Sequence, residues 1–129
     1  MSRLLHNRGI KSIVIEKQSE DYVRNRSRAG ILEQTSVDLI MSSGVGHNLK
    51  KNGLTHSGIF FHYNQNKRFI NFLQANNGKT VVAYTQKQLV NDFIDKAQED
   101  GLEVIFDAPA KKIEGLETTK PTLLSLIHI

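Results

Sequence analysis

Glu16 closes a short run of apolar, β-branched residues, Ile13-Val14-Ile15. An acid in that position accepts hydrogen bonds from a ribose hydroxyl when the run is the second strand of a dinucleotide-binding βαβ unit. A solvated carboxylate at a strand end is the simpler alternative. A little further on, Arg24, Arg26 and Arg28 alternate. Guanidinium forks match phosphate oxygens, and a basic segment that runs into a helix N-terminus, as Arg24 to Gln34 is expected to, gains the helix dipole as well. By charge alone the segment suits a pyrophosphate, an RNA backbone or a solvated loop. The histidines show no metal-ligand spacing: His56 and His62 share strand parity but would lie about 20 Å apart at roughly 3.3 Å per residue, and His47 with His56 fits no ligand pattern. No Ser/His/Asp arrangement is readable. The G-x-G-x-x-G sequence that brings backbone N–H groups to a pyrophosphate is absent before Gly9, and Gly44-Val45-Gly46 does not supply it, because Leu49 stands at the third glycine position. That segment reads as a helix terminator.

The elements that must position these groups follow from periodicity. Residues 1–9 read as the end of a helix, with Leu4 and Leu5 as its apolar face and Gly9 at its C-terminus. Ser12 to Ile15 is a short buried parallel strand ending at Glu16. Residues 17–29 read as a loop, and 30–41 as a helix with Leu32, Leu39 and Ile40 facing inward. Residues 56–63 and 67–73 have strand character around a hairpin turn at 63–67, and Thr80 to Tyr84 is a third strand. Leu89, Val90, Phe93, Ile94 and Ala97 form one apolar helical stripe, with a capping box at Thr85 and Gln88 and a stop at Gly101. Residues 102–106 form another strand and 110–116 one more. The apolar end from Leu123 to Ile129 has no identifiable partner, so the chain is expected to stop inside a domain or to leave its reading frame there.

Composition bounds the rest. With 39% hydrophobic and 23% charged residues in 129, the chain is an ordinary folded protein rather than a disordered one. No apolar run approaches the roughly 20 residues of a membrane span, and the first residues are no secretory signal. Absence of cysteine excludes disulfides and thiolate metal sites. A cytoplasmic location is the default expectation. The net charge of +4 suits an anionic ligand. It also suits a basic α/β nucleic-acid-binding module using Arg24, Arg26, Arg28, Lys50-Lys51 and Lys67-Arg68, but the chain has no RNP aromatic pattern, helix-turn-helix signature or zinc ligands.

Three stretches carry a family resemblance: Ile13 to Gln18 with Asp21-Tyr22-Val23 and Arg26-Ser27-Arg28-Ala29-Gly30-Ile31-Leu32-Glu33-Gln34; Asn52 to Gly58; and Gly78 to Gln86. In order and without evident gaps, from about residue 4 to about residue 112, they resemble FAD-dependent aromatic monooxygenases of the 4-hydroxybenzoate 3-monooxygenase type. The R-x-R-A-G-x-L-E-Q segment is specific to that branch of the flavin monooxygenases.

The resemblance implies an α/β fold: a partial Rossmann-like FAD-binding domain over residues 1–117, lacking its first strand and glycine-rich loop and carrying part of an inserted β-sheet, followed by a truncated or non-native tail at 118–129. It implies FAD and NADPH as cofactors, with 4-hydroxybenzoate, converted to 3,4-dihydroxybenzoate, and O2 as substrates. Nucleic acid and membrane are not expected partners, and the full-length protein would be a homodimer. Glu16 matches the acid on the FAD adenosine ribose. Arg26, Ser27, Arg28, Ala29, Gly30 and Ile31 match the segment around the flavin cofactor, and Gln86 a glutamine that hydrogen-bonds it. Lys17, Gln18, Tyr22 and Arg28 fall where NADPH is recognised; Lys17 replaces an arginine there, keeping the charge but losing the bidentate fork. His56 matches a histidine of the proton relay that deprotonates the phenol, a role suited to imidazole. The chain alone is expected to bind FAD weakly or not at all and to be inactive.

Overall fold

A computed structural model describes residues 1–125. In chain order the elements are α1 (Ser2–His6), β1 (Ile13–Ile15), α2 (Glu20–Asn25), β2 (Ile31–Glu33), α3 (Gln34–Ser42), α4 (His47–Asn52), β3 (Leu54–His56), β4 (Gly58–Tyr63), β5 (Asn66–Asn71), α5 (Phe72–Ala75), β6 (Val81–Ala83), α6 (Gln86–Glu99), β7 (Glu103–Ile105), β8 (Ala110–Glu114) and β9 (Thr122–Ser125). The fold class is α/β, as expected, and it divides into two compact units: Met1–Arg26 with the chain from Phe93 onward, and Ser27–Asp92. No helix among the described residues is long and apolar enough to cross a membrane.

The first unit is built on a parallel pair, β1 with β7, in the register Ile13↔Glu103, Val14↔Val104 and Ile15↔Ile105. Both strands are short and rich in β-branched residues, which suit a strand covered on its faces. Against expectation, residues 17–29 are not all loop. Ser19 caps α2 by accepting the Tyr22 amide at 3.2 Å, and Glu20 and Asp21 occupy the first turn, where the helix dipole favours negative charge. Side chains tie α2 to the second half of α6: Arg24 Nη1 donates to Asp95 Oδ1 at 2.7 Å, and Gln98 Nε2 to Glu20 Oε1 at 3.1 Å. Ile94, Ala97 and Ala108 are buried in this unit. The apolar end also needs correcting. Leu123 pairs with Ile113 and Leu124 with Lys112, so β8 is the partner not identified from sequence; residues 126–129 lie outside the described residues.

The second unit holds an antiparallel sheet of order β2-β6-β3. Ile31 and Leu54 flank Ala83, Leu32 and Thr55 flank Val82, and Glu33 and His56 flank Val81. Two expectations are corrected here. The helix expected over 30–41 begins only at Gln34, because Ile31–Glu33 is drawn into the sheet by β6. The single strand expected over 56–63 is two strands in different sheets, β3 ending at His56 and β4 starting at Gly58, so His56 and His62 do not share a strand. Helix α4, unanticipated, buries Leu49 beside a core that includes Ile40, Val45, Val82 and Tyr84. The hairpin β4–β5 forms where expected. Asn64 and Gln65 both have positive φ, the backbone of a type I′ turn. It exposes Ile59, Phe61 and Tyr63 on one face and Phe60 and Phe69 on the other, the last two ring to ring at 4.9 Å.

Candidate cofactor site

The C-terminal edge of a parallel strand pair is where α/β folds receive ligands, and Glu16 stands there. Its amide donates to Ile105 O at 2.8 Å, and its carbonyl accepts from Ala108 N at 2.9 Å. Its carboxylate Oε1 accepts from Gln18 N at 2.9 Å. An ionised carboxylate has about four lone-pair sites, so acceptor capacity remains for a hydroxyl. Glu16 and Lys17 line a cleft of about 320 Å³ together with Ile15, Ala108, Pro109 and Ala110. Gln18 is half-buried, and its carbonyl is held by the Asp107 amide at 3.1 Å. Tyr22 and Arg26 are exposed neighbours, the guanidinium 5.6 Å from the ring centroid, within cation–π range.

Arg24 does something else. Its guanidinium is held by Glu20 at 2.7 Å and Asp95 at 2.7 Å, and these partners, Glu20's hydrogen bond first, raise its pKa above the usual arginine value. It therefore secures α2 rather than offering a free cation. The arginine run also does not enter a helix N-terminus. It leaves the C-terminal end of α2 and passes through Ser27-Arg28-Ala29-Gly30 into β2, so the helix dipole expected to add to its charge is not there.

In the second unit, Ser27, Arg28 and Ala29 are exposed, while Gly30 is packed tightly. The Tyr84 amide donates to Gly30 O at 3.1 Å. A Cβ on Gly30 would lie 2.0 Å from Tyr84 O and 2.8 Å from Gln86 N. Two residues singled out far apart in sequence, Gly30 and Gln86, are thus brought together. Gln86 opens α6, whose first turn is fixed by the expected capping box: Gln88 N donates to Thr85 Oγ1 at 3.2 Å and Thr85 N to Gln88 Oε1 at 3.3 Å.

Sequence reasoning missed the support beneath this corner. Tyr84 is 4% exposed, and its hydroxyl donates to Asp92 Oδ2 at 2.6 Å. Asn48 Nδ2 donates to Asp92 Oδ1 at 2.7 Å. Burial, then the Asp92 bond, push the Tyr84 hydroxyl's pKa well above the usual tyrosine value, so it stays a donor. No local sequence pattern marks the trio, since Asn48 comes from α4 and Asp92 from α6.

His56 is exposed on β3, level with Glu33 and so three residues along the sheet from Gly30 by register. Strand alternation puts Ile31, Glu33, Val81, Ala83, Leu54 and His56 on one face of the β2-β6-β3 sheet and Val82, which is buried, on the other. That first face is open: Ile31 is 70% and Leu54 66% exposed. It is an apolar platform with an imidazole on it. No cluster of three or more His, Cys, Asp or Glu side chains among the described residues could hold a metal.

Known proteins match this chain. The family model described as "FAD binding domain" matches residues 1–123. A p-hydroxybenzoate hydroxylase of Acinetobacter baylyi is 41% identical over 102 residues, 79% of this chain and 25% of that protein. Among solved structures, Pseudomonas aeruginosa PqsL in complex with 2-aminobenzoylacetate superposes with a TM-score of 0.73 at 14% identity, over 88% of this chain and 31% of PqsL. Another PqsL structure, described as "a probable FAD-dependent monooxygenase", gives 0.72 at 13% identity, over 88% of this chain and 30% of that one. At such identities these two structures speak for the fold alone. The chain spans a quarter to a third of the length of the proteins it matches.

Proposed function

The chain belongs to the FAD binding domain family, and on that premise we propose that it forms part of a flavoprotein monooxygenase that hydroxylates 4-hydroxybenzoate to 3,4-dihydroxybenzoate with FAD, NADPH and O2. The observation that carries this reading is the open sheet face, where Ile31 and Leu54 offer apolar surface beside the His56 imidazole. A flat ring packs on such a surface. An imidazole near it can pass on the proton of a phenol. The resulting phenolate is richer in electrons ortho to its oxygen, the carbon that is hydroxylated. Bound FAD supplies the redox chemistry and the activation of oxygen. The protein's residues bind, orient and move the proton.

The residues present fit that cofactor. Glu16 keeps acceptor capacity for a ribose hydroxyl at the mouth of its cleft. In this reading Arg26 to Ile31 follow the cofactor, and Gln86 offers its amide from the first turn of α6. Lys17, Gln18, Tyr22 and Arg28 take NADPH. The 41% identity to a p-hydroxybenzoate hydroxylase supports the choice of substrate, and a homodimer is the assembly that accompanies it.

The test is His56→Asn in the full-length enzyme. Hydroxylated product per unit time should fall about 10²-fold near neutral pH, the scale of a lost proton-transfer group, and should recover as pH rises toward the ionisation of the phenol itself. An unchanged rate and pH profile would remove His56 from the chemistry. The 129-residue chain alone should hold FAD weakly or not at all; FAD retained one-to-one through purification would refute that.

A further inference from the structure

We propose that Tyr84, Asp92 and Asn48 are positioning residues that fix the Gly30–Gln86 corner for the flavin, an inference that rests on the flavin reading above. Tyr84 is the hub. Its backbone holds Gly30 with both of its polar groups: the amide donates to Gly30 O at 3.1 Å, and the carbonyl fills the space where a Gly30 side chain would begin. Its side chain reaches in the other direction. The hydroxyl donates to Asp92 Oδ2 at 2.6 Å, and Asp92 Oδ1 accepts from Asn48 Nδ2 at 2.7 Å.

Asp92 lies six residues into α6 from Gln86, about 9 Å along the axis at 1.5 Å per residue. The capping box defines where the helix starts but does not fix its rotation against the end of β6. The Tyr84–Asp92 bond does, because it joins the last residue before the cap to a point nearly two turns up the helix. Asn48 holds the carboxylate from α4. If the hydroxyl were lost, α6 could turn, and Gln86 would move relative to Gly30 although neither residue had been changed. Hydrogen bonds to a carboxylate are among the stronger ones, and a buried one left half-made is costly.

The experiment uses the full-length enzyme stripped of flavin and titrated with FAD. Affinity is read from flavin fluorescence, the environment from the visible spectrum of the bound flavin, and folding from the melting temperature of the apoprotein. Tyr84→Phe keeps the ring and should weaken FAD about tenfold, roughly one charge-assisted hydrogen bond, and shift the bound-flavin spectrum. Asp92→Leu, which removes the acceptor, should weaken it similarly. Asp92→Asn keeps an amide oxygen for the Tyr84 hydroxyl, and its new amide can donate to a turned-over Asn48, so its affinity should stay within about threefold of wild type. That conservative variant also carries the test if Tyr84→Phe fails to fold. Wild-type FAD affinity and spectrum in Tyr84→Phe and Asp92→Leu would overturn the proposal, even with a lowered apoprotein melting temperature, and so would an Asp92→Asn enzyme as weak as Asp92→Leu. A wild-type enzyme that takes up no FAD would overturn the flavin reading as well.

Discussion

At Gly30 the missing side chain is a geometric requirement. The atom a Cβ would meet at 2.0 Å is the Tyr84 carbonyl oxygen, part of the backbone between β6 and α6, which cannot swing aside as a flexible side chain could. Gly30→Ala should therefore cost about 1–3 kcal/mol and lower the melting temperature by several degrees, followed by circular dichroism; an unchanged melting curve would mean the segment before β2 is free to shift. The reason for this glycine was not legible in the sequence, because its proximity to Tyr84 and Gln86 exists only once β2 pairs with β6. Glu16 was legible: an apolar β-branched run ending in an acid announces both the strand and the position of the carboxylate. Arg24 was misread as a ligand candidate because a charge run cannot reveal that one of its members already has carboxylates waiting on α2 and α6.

Among the elements, α6 was the most legible and is the most securely finished at both ends. Its apolar stripe puts Ile94 and Ala97 in the interior, as the 3.6-residue period demands. At its start, Thr85→Ala removes the cap and should destabilise the protein by about 1 kcal/mol, seen as a lower urea midpoint with an unchanged slope; no shift would show that the first turn is held from elsewhere. At its far end, Asp100 takes hydrogen bonds from Lys96 at 3.0 Å and from Arg3 of α1. These bonds, Lys96's first, hold the Asp100 carboxyl below the usual carboxylate range. A depressed acid stabilises the fold above its unfolded value, near pH 4, and the contribution fades as pH falls through the folded value. Asp100→Asn should thus melt earlier than wild type at neutral pH, with the gap closing below about pH 4; a gap independent of pH would assign it to packing instead. The elements that escaped detection are short. Ile31–Glu33 continues the helical pattern of Leu32, Leu39 and Ile40, and only the pairing with β6 makes it a strand. Helix α4 has one buried apolar residue, Leu49, too little for a period. Helix α2 did carry a signal, Ser19-Glu20-Asp21, hidden by the basic residues that follow.

For the molecule as a whole, the division into two units could not have been read locally, because one of them is assembled from the first 26 residues and the chain beyond Phe93. The family resemblance reached further than periodicity did, since it ordered the segments along the chain regardless of which unit each joins. The β4–β5 hairpin has a practical consequence for anyone preparing this polypeptide. Two strands alone are a marginal structure, and this ribbon is greasy on both sides, with Phe61 53% and Phe60 56% exposed. Surfaces of that kind do not stay wet when copies meet. At tens of micromolar the purified chain should scatter light increasingly with concentration and brighten the dye ANS, and Phe61→Lys should lessen both; a clear, non-fluorescent solution at every concentration would mean the ribbon finds shelter within its own molecule.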